Sequence, residues 1–274
     1  MGMTLPFDLY AVGVLAPGIG SLPELLALRR GALHDTSATL DLPPPAVLAA
    51  AERRRASQVV RLTLACAAQA LQTSPFPADA LRTVFASDEG TGEVCQQLLE
   101  TLATTRQVSP LLFHNSVHNA PSGYFSIGYQ NRQSATSVSL GQQSFSSGLL
   151  CAASEARVSG QPVLLLAYDP AMTEPMSSLL PVVQPTATAW VIASGNTPAS
   201  GQAALASFEL SLDLAGERSQ AMPAWLPAAW AANSSAQGLV ALSLLDDTQP
   251  HRACELLLGA QMLRIERVDG SATC

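Results

Sequence analysis

The sequence predicts a layered α/β domain in which helices cover both faces of a largely buried sheet. Strand-like and helix-like patterns alternate along most of its 274 residues. The run PVLLLAY, residues 162–168, has the unbroken apolar character of a strand that is buried on both faces. Hydrophobic residues make up 48% of the chain and charged residues 13%, so a large core can form while little charge remains to cover a monomer's surface. We therefore predict one domain over residues 1–274, with apolar surface that faces a partner.

The first part of the chain alternates strands, turns and helices. A β-prone run over residues 9–15 ends in the turn APGIG, and a helix follows with Ser21 as its N-cap and Gly31 just beyond its end. The connector DLPPPAV cannot be helical through its prolines. The segment AERRRASQVVRLTLACAAQAL then has the apolar stripe of a single helix over residues 51–71.

The remaining elements continue the alternation and then weaken. They are a strand over 81–87, a helix over 93–105, the strand SATSVSL, a helix over 144–158 and the strands PVLLLAY, PTATAWVIAS and ASFELSLDL. After Gly216 the pattern is less regular. There GLVALSLLDD, HRACELLLGAQ and MLRIERV predict one strand, one helix and one strand, and no second full domain fits.

Charge and cysteine usage exclude several functions. A net charge of −7 argues against a nucleic-acid partner, which needs clustered cations. All 14 cationic residues are arginine, so lysine Schiff-base chemistry is excluded. Five scattered cysteines without a CxxC pair indicate neither a zinc site nor a disulfide framework, and we predict no metal and no other cofactor. The N-terminal stretch lacks a basic signal region and no apolar run is long enough to span a membrane, so we predict a cytoplasmic protein without membrane insertion.

The order of the motifs resembles the N-terminal half of a β-ketoacyl synthase of the thiolase superfamily. The resemblance reaches to about Leu214 and is carried by PELLALRRG, ERRRASQVVRLTLACAAQAL, FHNSVHNAPSGYFSIGYQ and PVLLLAY. It implies a thiolase-like layered αβαβα fold with a complete N-terminal half, residues 1–214, and a truncated C-terminal half, residues 215–274. The chain is most similar to the short ketosynthase-like subunits of aryl polyene pathways, which resemble chain length factors.

Two departures from the family pattern argue against catalysis. An active ketosynthase carries a cysteine at a strand-to-helix turn, and that place falls on Gln142 or Gln143 here. An amide cannot form a thioester, although it can fill the same volume and donate hydrogen bonds. Active members also take two histidines from the C-terminal half, whereas the only histidine after His118 is His251, outside any glycine-rich context. The resemblance therefore implies that this chain has no catalytic residues of its own.

The resemblance also implies a heterodimer with a full-length, active β-ketoacyl synthase. The complex would serve an acyl carrier protein in fatty-acid or polyketide (polyene) synthesis, and this chain would bound the partner's acyl tunnel. The residues expected at that tunnel or interface are Phe113, His114, His118, Asn119, Phe125, Ser137, Val138, Ser139 and Leu140. From the residues alone, His114 and His118 are interpreted as hydrogen-bonded turn residues rather than metal ligands. Asn119 is expected to form hydrogen bonds with backbone groups of its turn. Each aromatic residue is expected to pack in the core.

Two alternative functions stay open at this point. An acyltransferase or hydrolase could use a displaced serine, Ser144, Ser146 or Ser147, although Ser144 has a plainer role as the cap of the following helix. The chain could also be a scaffold that binds a ketosynthase without shaping any tunnel.

Overall fold

The computed structural model describes residues 4–195, 201–213, 222–248 and 252–268. Within them, eight strands form one sheet. The strands are β1 (Thr4–Leu15), β2 (Arg82–Ala86), β3 (Ala135–Val138), β4 (Val163–Asp169), β5 (Thr186–Ala193), β6 (Ala206–Asp213), β7 (Ala253–Leu258) and β8 (Gln261–Val268). Their order across the sheet is β3-β2-β4-β5-β1-β6-β8-β7.

Eight α-helices lie in the same described ranges. They are α1 (Leu22–Arg29), α2 (Ala50–Arg55), α3 (Gln58–Thr73), α4 (Gly92–Thr104), α5 (Pro110–Asn115), α6 (Ala120–Tyr129), α7 (Ser144–Ser159) and α8 (Ala236–Leu242). Among the residues described, none of these helices combines the length and the apolar character that crossing a bilayer requires.

The sheet is mixed, with its parallel strands at one end. Strand β2 pairs in parallel with β3 and with β4, so the carboxyl ends of these three strands meet at one side of the sheet. The other pairings are antiparallel, and β1 lies between β5 and β6. In the described part of the chain, β3 and β7 each have one neighbour and are the edge strands.

Two hydrophobic cores lie on opposite faces of the sheet. On one face α3 and α6 pack on the sheet, with Phe125 against Phe85. On the other face α7 and α8 pack around Phe145 and Trp190, whose ring centroids are 5.7 Å apart. All seven residues of β4 are buried, which confirms the prediction for PVLLLAY. The predicted layered arrangement is therefore confirmed.

Close packing fixes the position of α7 over the strands that lead to the site. A Cβ built on Gly148 would lie 2.7 Å from the Cβ of Ala86, so only glycine allows the helix to approach β2 this closely. The N-terminus of α7 therefore lies beside the carboxyl ends of β2 and β3.

The predictions for the first helices are partly confirmed. Helix α1 has Ser21 as its N-cap, and Gly31 follows its C-cap with a φ of +89°, a conformation that favours glycine. The single helix predicted over 51–71 is wrong, because the structure breaks it into α2 and α3. Ala56 is extended at the break, and its carbonyl accepts a 3.2 Å hydrogen bond from Arg61 Nε.

The prediction for the C-terminal part is wrong in its order of elements. GLVALSLLDD forms α8 and a helical turn over 243–245, while ACELLL and QMLRIERV form the hairpin β7–β8 through Gly259, with a φ of +64°. A short apolar run fits a buried helix as well as a buried strand, which explains the error. Gly238 of α8 lies so close to Phe145 that an added Cβ would be 2.8 Å from its ring. Residues of the C-terminal part thus extend the same sheet and cover the same core as α7.

Candidate functional site

The turn between β3 and α7, residues 140–144, contains Gln142 and Gln143, the two positions at which the resemblance predicts the family's nucleophile. Gly141 has a φ of +59°, and the side chain of Ser144 closes the turn. The Ser144 hydroxyl accepts a 2.9 Å hydrogen bond from Leu140 N and donates a 2.7 Å hydrogen bond to the Gly141 carbonyl. The turn is therefore a rigid loop held by its own residues.

Ser144 does not have the contacts of a nucleophile. Its side chain is buried, its hydroxyl proton is donated to a backbone carbonyl, and none of its hydrogen bonds among the described residues involves an imidazole or a carboxylate. The predicted capping role is also wrong, since Ser144 is the first helical residue and bonds the turn instead. A side chain from outside α7 caps its N-terminus instead: Phe145 N donates a 2.8 Å hydrogen bond to Ser234 Oγ.

The neighbouring serines offer no catalytic pair either. Ser146 Oγ donates to the carbonyls of Leu257 and Gln143 at 2.7 and 3.0 Å. Ser147 Oγ is buried without a hydrogen-bond partner in the described structure, so it has no base to take its proton.

Both glutamines of the turn are bound to the C-terminal part of the chain. Gln142 Nε2 donates a 2.5 Å hydrogen bond to the Ala232 carbonyl, and the Gln142 carbonyl accepts a 2.6 Å hydrogen bond from Gln237 Nε2. Gln143 Oε1 accepts a 2.5 Å hydrogen bond from Gly259 N. The amides thus connect α7 to the C-terminal elements, and no thiolate or hydroxylate can form at either position.

We expect Gln142→Ala and Gln143→Ala each to lower the free energy of unfolding by about 1 kcal/mol, because each removes one hydrogen bond to the C-terminal part. The double substitution should lower the free energy of unfolding by at least the sum of the two single effects, since both amides hold the same two parts of the chain together. Urea unfolding measures the change, with Gln107→Ala, at an exposed position, as the matched control. Variants as stable as the control would show that these hydrogen bonds contribute nothing.

A buried carboxylate that the sequence analysis missed lies next to the turn. Asp169, at the end of β4, accepts hydrogen bonds from Ser87 Oγ at 3.2 Å, Asp88 N at 2.9 Å and Ser235 N at 2.6 Å. Ser139 Oγ in turn donates 2.7 Å to the Asp88 carbonyl. The position of each aspartate directly after a buried strand was the signal that could have found this cluster. Asp169 joins the ends of β2 and β4 to the start of α8.

Burial dominates the titration of this cluster. It raises the pKa of the Asp169 carboxyl, and the hydrogen bonds from Ser235, Asp88 and Ser87 offset this only in part. Burial also raises the pKa of Asp88, to which the negative charge of Asp169 adds. Because the folded state then binds the Asp169 proton more tightly than the unfolded state, this group favours folding below its unfolded pKa, and that contribution is lost as the pH rises through the folded pKa.

Asp169→Asn should therefore reduce the decline of the free energy of unfolding that sets in as the pH rises above about 4, since asparagine does not titrate. The variant loses one acceptor, so we expect it to be about 1–3 kcal/mol less stable at the acidic end, with the gap narrowing as the pH rises. Chemical unfolding at several pH values measures this. Asp79→Asn, at an exposed position, is the control, and a gap that stays constant with pH would contradict the assignment.

The predicted tunnel or interface residues divide into exposed and buried groups. Phe113 is 66% exposed on α5, His114 and Asn119 are exposed, and Leu140 is 59% exposed after β3. Ser137 and Val138 lie half-buried on the edge strand, and Ser139 is exposed. Phe125, in contrast, is fully buried in the core against Phe85 and Tyr129. Phe125 therefore packs inside the subunit rather than on its surface.

The polar residues of α5 and α6 differ from their predicted roles. Asn119 is the N-cap residue of α6, but its side chain makes no capping bond. Asn115, which the sequence analysis did not single out, is buried and bonds Arg55 O at 3.0 Å and Tyr124 Oη at 3.2 Å. His114 packs edge-on against the Tyr124 ring, and His118 Nε2 is buried without a partner. The described residues contain no cluster of three His, Cys, Asp or Glu side chains that could hold a metal ion.

The exposed apolar side chains concentrate in residues 99–140, the part of the chain that contains the edge strand β3. Eight of the thirteen large hydrophobic side chains that are exposed among the described residues fall within residues 99–140. We call these eight the edge-strand surface: Leu99, Leu102, Val108, Leu111, Phe113, Val117, Ile127 and Leu140. Apolar surface of this kind beside an unpaired strand edge is typical of a protein interface.

Comparisons with known proteins agree with this geometry. Among solved structures, the chain is similar to one from the ketosynthase ApeO in complex with its chain length factor ApeC from Xenorhabdus doucetiae, at 22% identity and a TM-score of 0.72, covering 96% of this chain and 100% of that one. It is also similar to a β-ketoacyl synthase from Burkholderia phymatum STM815, at 13% identity and a TM-score of 0.61, over 76% of this chain and 63% of the other. The ishigamide ketosynthase/chain length factor is 16% identical with a TM-score of 0.58, over 78% and 65%.

These likenesses confirm the predicted thiolase-like fold class. The chain spans about two thirds of the length of the latter two structures. No curated protein sequence matches it. Residues 30–242 match the sequence profile of the family described as β-ketoacyl synthase, N-terminal domain. This match covers well over half of the sequence, and the chain belongs to the β-ketoacyl synthase family.

Proposed function

We propose that this chain is a non-catalytic, chain-length-factor-like partner of an active, full-length β-ketoacyl-acyl carrier protein synthase. The observation that carries the proposal is the β3–α7 turn, where Gln142 and Gln143 replace a nucleophile and bind the chain's own backbone. A subunit of a condensing family that has no nucleophile acts through its partner. Two of the similar structures are named for a ketosynthase together with a chain length factor, which supports the same role.

The edge-strand surface supports a heterodimer. Strand β3 has β2 as its one neighbour among the described residues, so its other edge can extend into the sheet of a second protein. The apolar side chains around it supply the hydrophobic part of such an interface. In the heterodimer this chain completes the partner's active site, and its side chains limit the space for the growing acyl chain. We place the complex in fatty-acid or polyketide synthesis of the aryl polyene kind, in the cytoplasm, with an acyl carrier protein as its substrate carrier.

The test of this function is the absence of an acyl-enzyme on the isolated chain. After incubation with acyl-carrier-protein thioesters, the intact mass of the protein should be unchanged, because no thiolate or activated hydroxyl lies at the turn. Gln142→Cys and Gln143→Cys should also fail to gain condensing activity, since a thiol alone lacks the histidines that polarise the thioester. A stable adduct that maps to Ser144 would overturn the proposal in favour of the acyltransferase alternative.

A further inference from the structure

A cavity lies near β7, at the opposite end of the sheet from β3. Its volume is about 340 Å³, which is at the small end of the range of ligand pockets. The lining comes from the end of α1, from α8 and the turn after it, from the start of β7 and from the segment before α8. The lining residues are Arg29, Pro223, Trp225, Val240, Ser243, Leu244, Ala253 and Cys254.

Arg29 is the charged group of this lining, and most of its donors are unused. Its side chain is 9% exposed, and its one hydrogen bond within the described structure runs from a terminal nitrogen to Asp246 Oδ2 at 3.3 Å. A guanidinium has five N–H donors, and the remaining donors of Arg29 are open to an acceptor in the cavity. An acceptor in the cavity would satisfy them.

Asp246 supplies one acceptor to Arg29 and has little capacity for more, because Arg30 and Thr248 also bind its carboxylate. Arg30 donates hydrogen bonds to both carboxylate oxygens of Asp246, from Nη2 to Oδ1 at 2.7 Å and from Nε to Oδ2 at 3.0 Å. Thr248 adds hydrogen bonds from its hydroxyl and its backbone nitrogen. These bonds hold the pKa of Asp246 well below its usual range, so it remains a carboxylate that two arginines share. One positive charge of the cluster is therefore uncompensated among the described residues.

The remaining lining residues are uncharged, and most of them are apolar. Trp225 presents a half-buried indole, and Val240, Leu244 and Ala253 add aliphatic surface. Burial raises the pKa of the Cys254 thiol to about 12, so it is neutral and does not repel an anion. The nearby Asp247 does not line the cavity and is paired with Arg267 at 2.7 Å. The cavity therefore has one cationic end and apolar walls, and it fits a ligand with an anionic end and an apolar body.

We propose that this cavity binds a small organic carboxylate, with the carboxylate on Arg29 and an apolar body against Trp225. A planar carboxylate matches the fork of a guanidinium and can accept two parallel hydrogen bonds. The apolar body displaces water from the indole and the aliphatic walls. This site is separate from the β3–α7 turn and does not depend on the proposed function.

Titration with sodium octanoate tests the proposal, read by calorimetry and by tryptophan fluorescence. Trp190 and Trp230 are fully buried and Trp225 lines the cavity, so a fluorescence change reports on this site. We expect saturable binding, with 1-octanol and inorganic phosphate each at least about tenfold weaker because each lacks half of the recognised chemistry. Arg29→Gln should weaken octanoate binding by about tenfold or more, while Arg61→Gln, at a half-buried arginine of α3, should leave it unchanged.

A second variant keeps the test decisive if Arg29→Gln fails to fold. Ala253→Leu fills the apolar end of the cavity and leaves Arg29 in place, so it should abolish octanoate binding while thermal unfolding shows a folded protein. No binding of octanoate at millimolar concentration would overturn the proposal. Equal binding by the Arg29 variant, or equal binding of 1-octanol or phosphate, would overturn it as well, because the guanidinium or the apolar walls would then contribute nothing.

Discussion

Leu140→Arg should abolish co-purification of this chain with its ketosynthase and thereby remove the condensing activity of the pair. Leu140 is 59% exposed and directly follows the edge strand β3, so the substitution leaves the subunit's own core intact. In the proposed heterodimer the same position would face the partner, where an unpaired guanidinium costs several kcal/mol. A loss of that size raises the Kd by more than about 100-fold. Tandem-affinity purification and native mass spectrometry of the co-expressed pair measure the effect.

The matched control for this experiment is Leu33→Arg, since Leu33 is fully exposed and lies outside the edge-strand surface. We expect it to assemble like the wild type. Thermal unfolding of the isolated Leu140 variant separates loss of assembly from loss of folding. If the Leu140 variant is folded and still assembles with the ketosynthase, then the heterodimer does not form through β3.

Phe113→Ala should shift the products of the heterodimer towards longer chains. Phe113 is 66% exposed in the isolated subunit, so it contributes little to the core, and in the proposed heterodimer its ring would be free to bound the partner's acyl tunnel. An intact ring at the end of the tunnel would disfavour one extra methylene by about 1–3 kcal/mol. Removing the ring opens space for additional carbon units. Mass spectrometry of the products from reconstituted heterodimers, at matched concentration, gives the distribution.

Changes of bulk at the neighbouring residue provide the opposite test. His114→Trp should shorten the products, since His114 is exposed one residue further along α5. Leu33→Ala serves as the control that leaves the distribution unchanged. If neither Phe113→Ala nor His114→Trp alters the products while the heterodimer forms normally, the chain is a scaffold that does not shape the tunnel.

Local patterns in the sequence predicted those parts of the fold that local physics determines. The apolar run of β4 and the Ser21 and Gly31 ends of α1 follow from side-chain burial and backbone conformation, and the structure confirms them. Residues 238–247 could not be assigned correctly, because a run that is buried on all sides has no polar face to reveal its period. For the site, the sequence predicted that a turn with two glutamines precedes α7.

What the glutamines contact could not be predicted in the same way. Gln142 bonds Ala232 and Gln143 bonds Gly259, pairs that are 90 and 116 residues apart along the chain. No short-range pattern encodes such contacts, since they depend on how α8 and the β7–β8 hairpin pack on α7. The same holds for Asp169, whose strand was predicted but whose hydrogen bond to Ser235 spans 66 residues.

The position of β1 in the middle of the sheet dictates the order in which the nascent chain can fold. Strand β1 is synthesised before β5 and β6, its two hydrogen-bonding partners, which end at Ala193 and Asp213. At ribosomal elongation rates of 5–20 residues per second, both edges of β1 wait about 10–40 s for their partners. During this interval a strand that buries half of its residues in the folded protein is exposed to other nascent chains. Production of this subunit in cells should therefore depend on chaperones that hold the N-terminal segment until β6 leaves the ribosome.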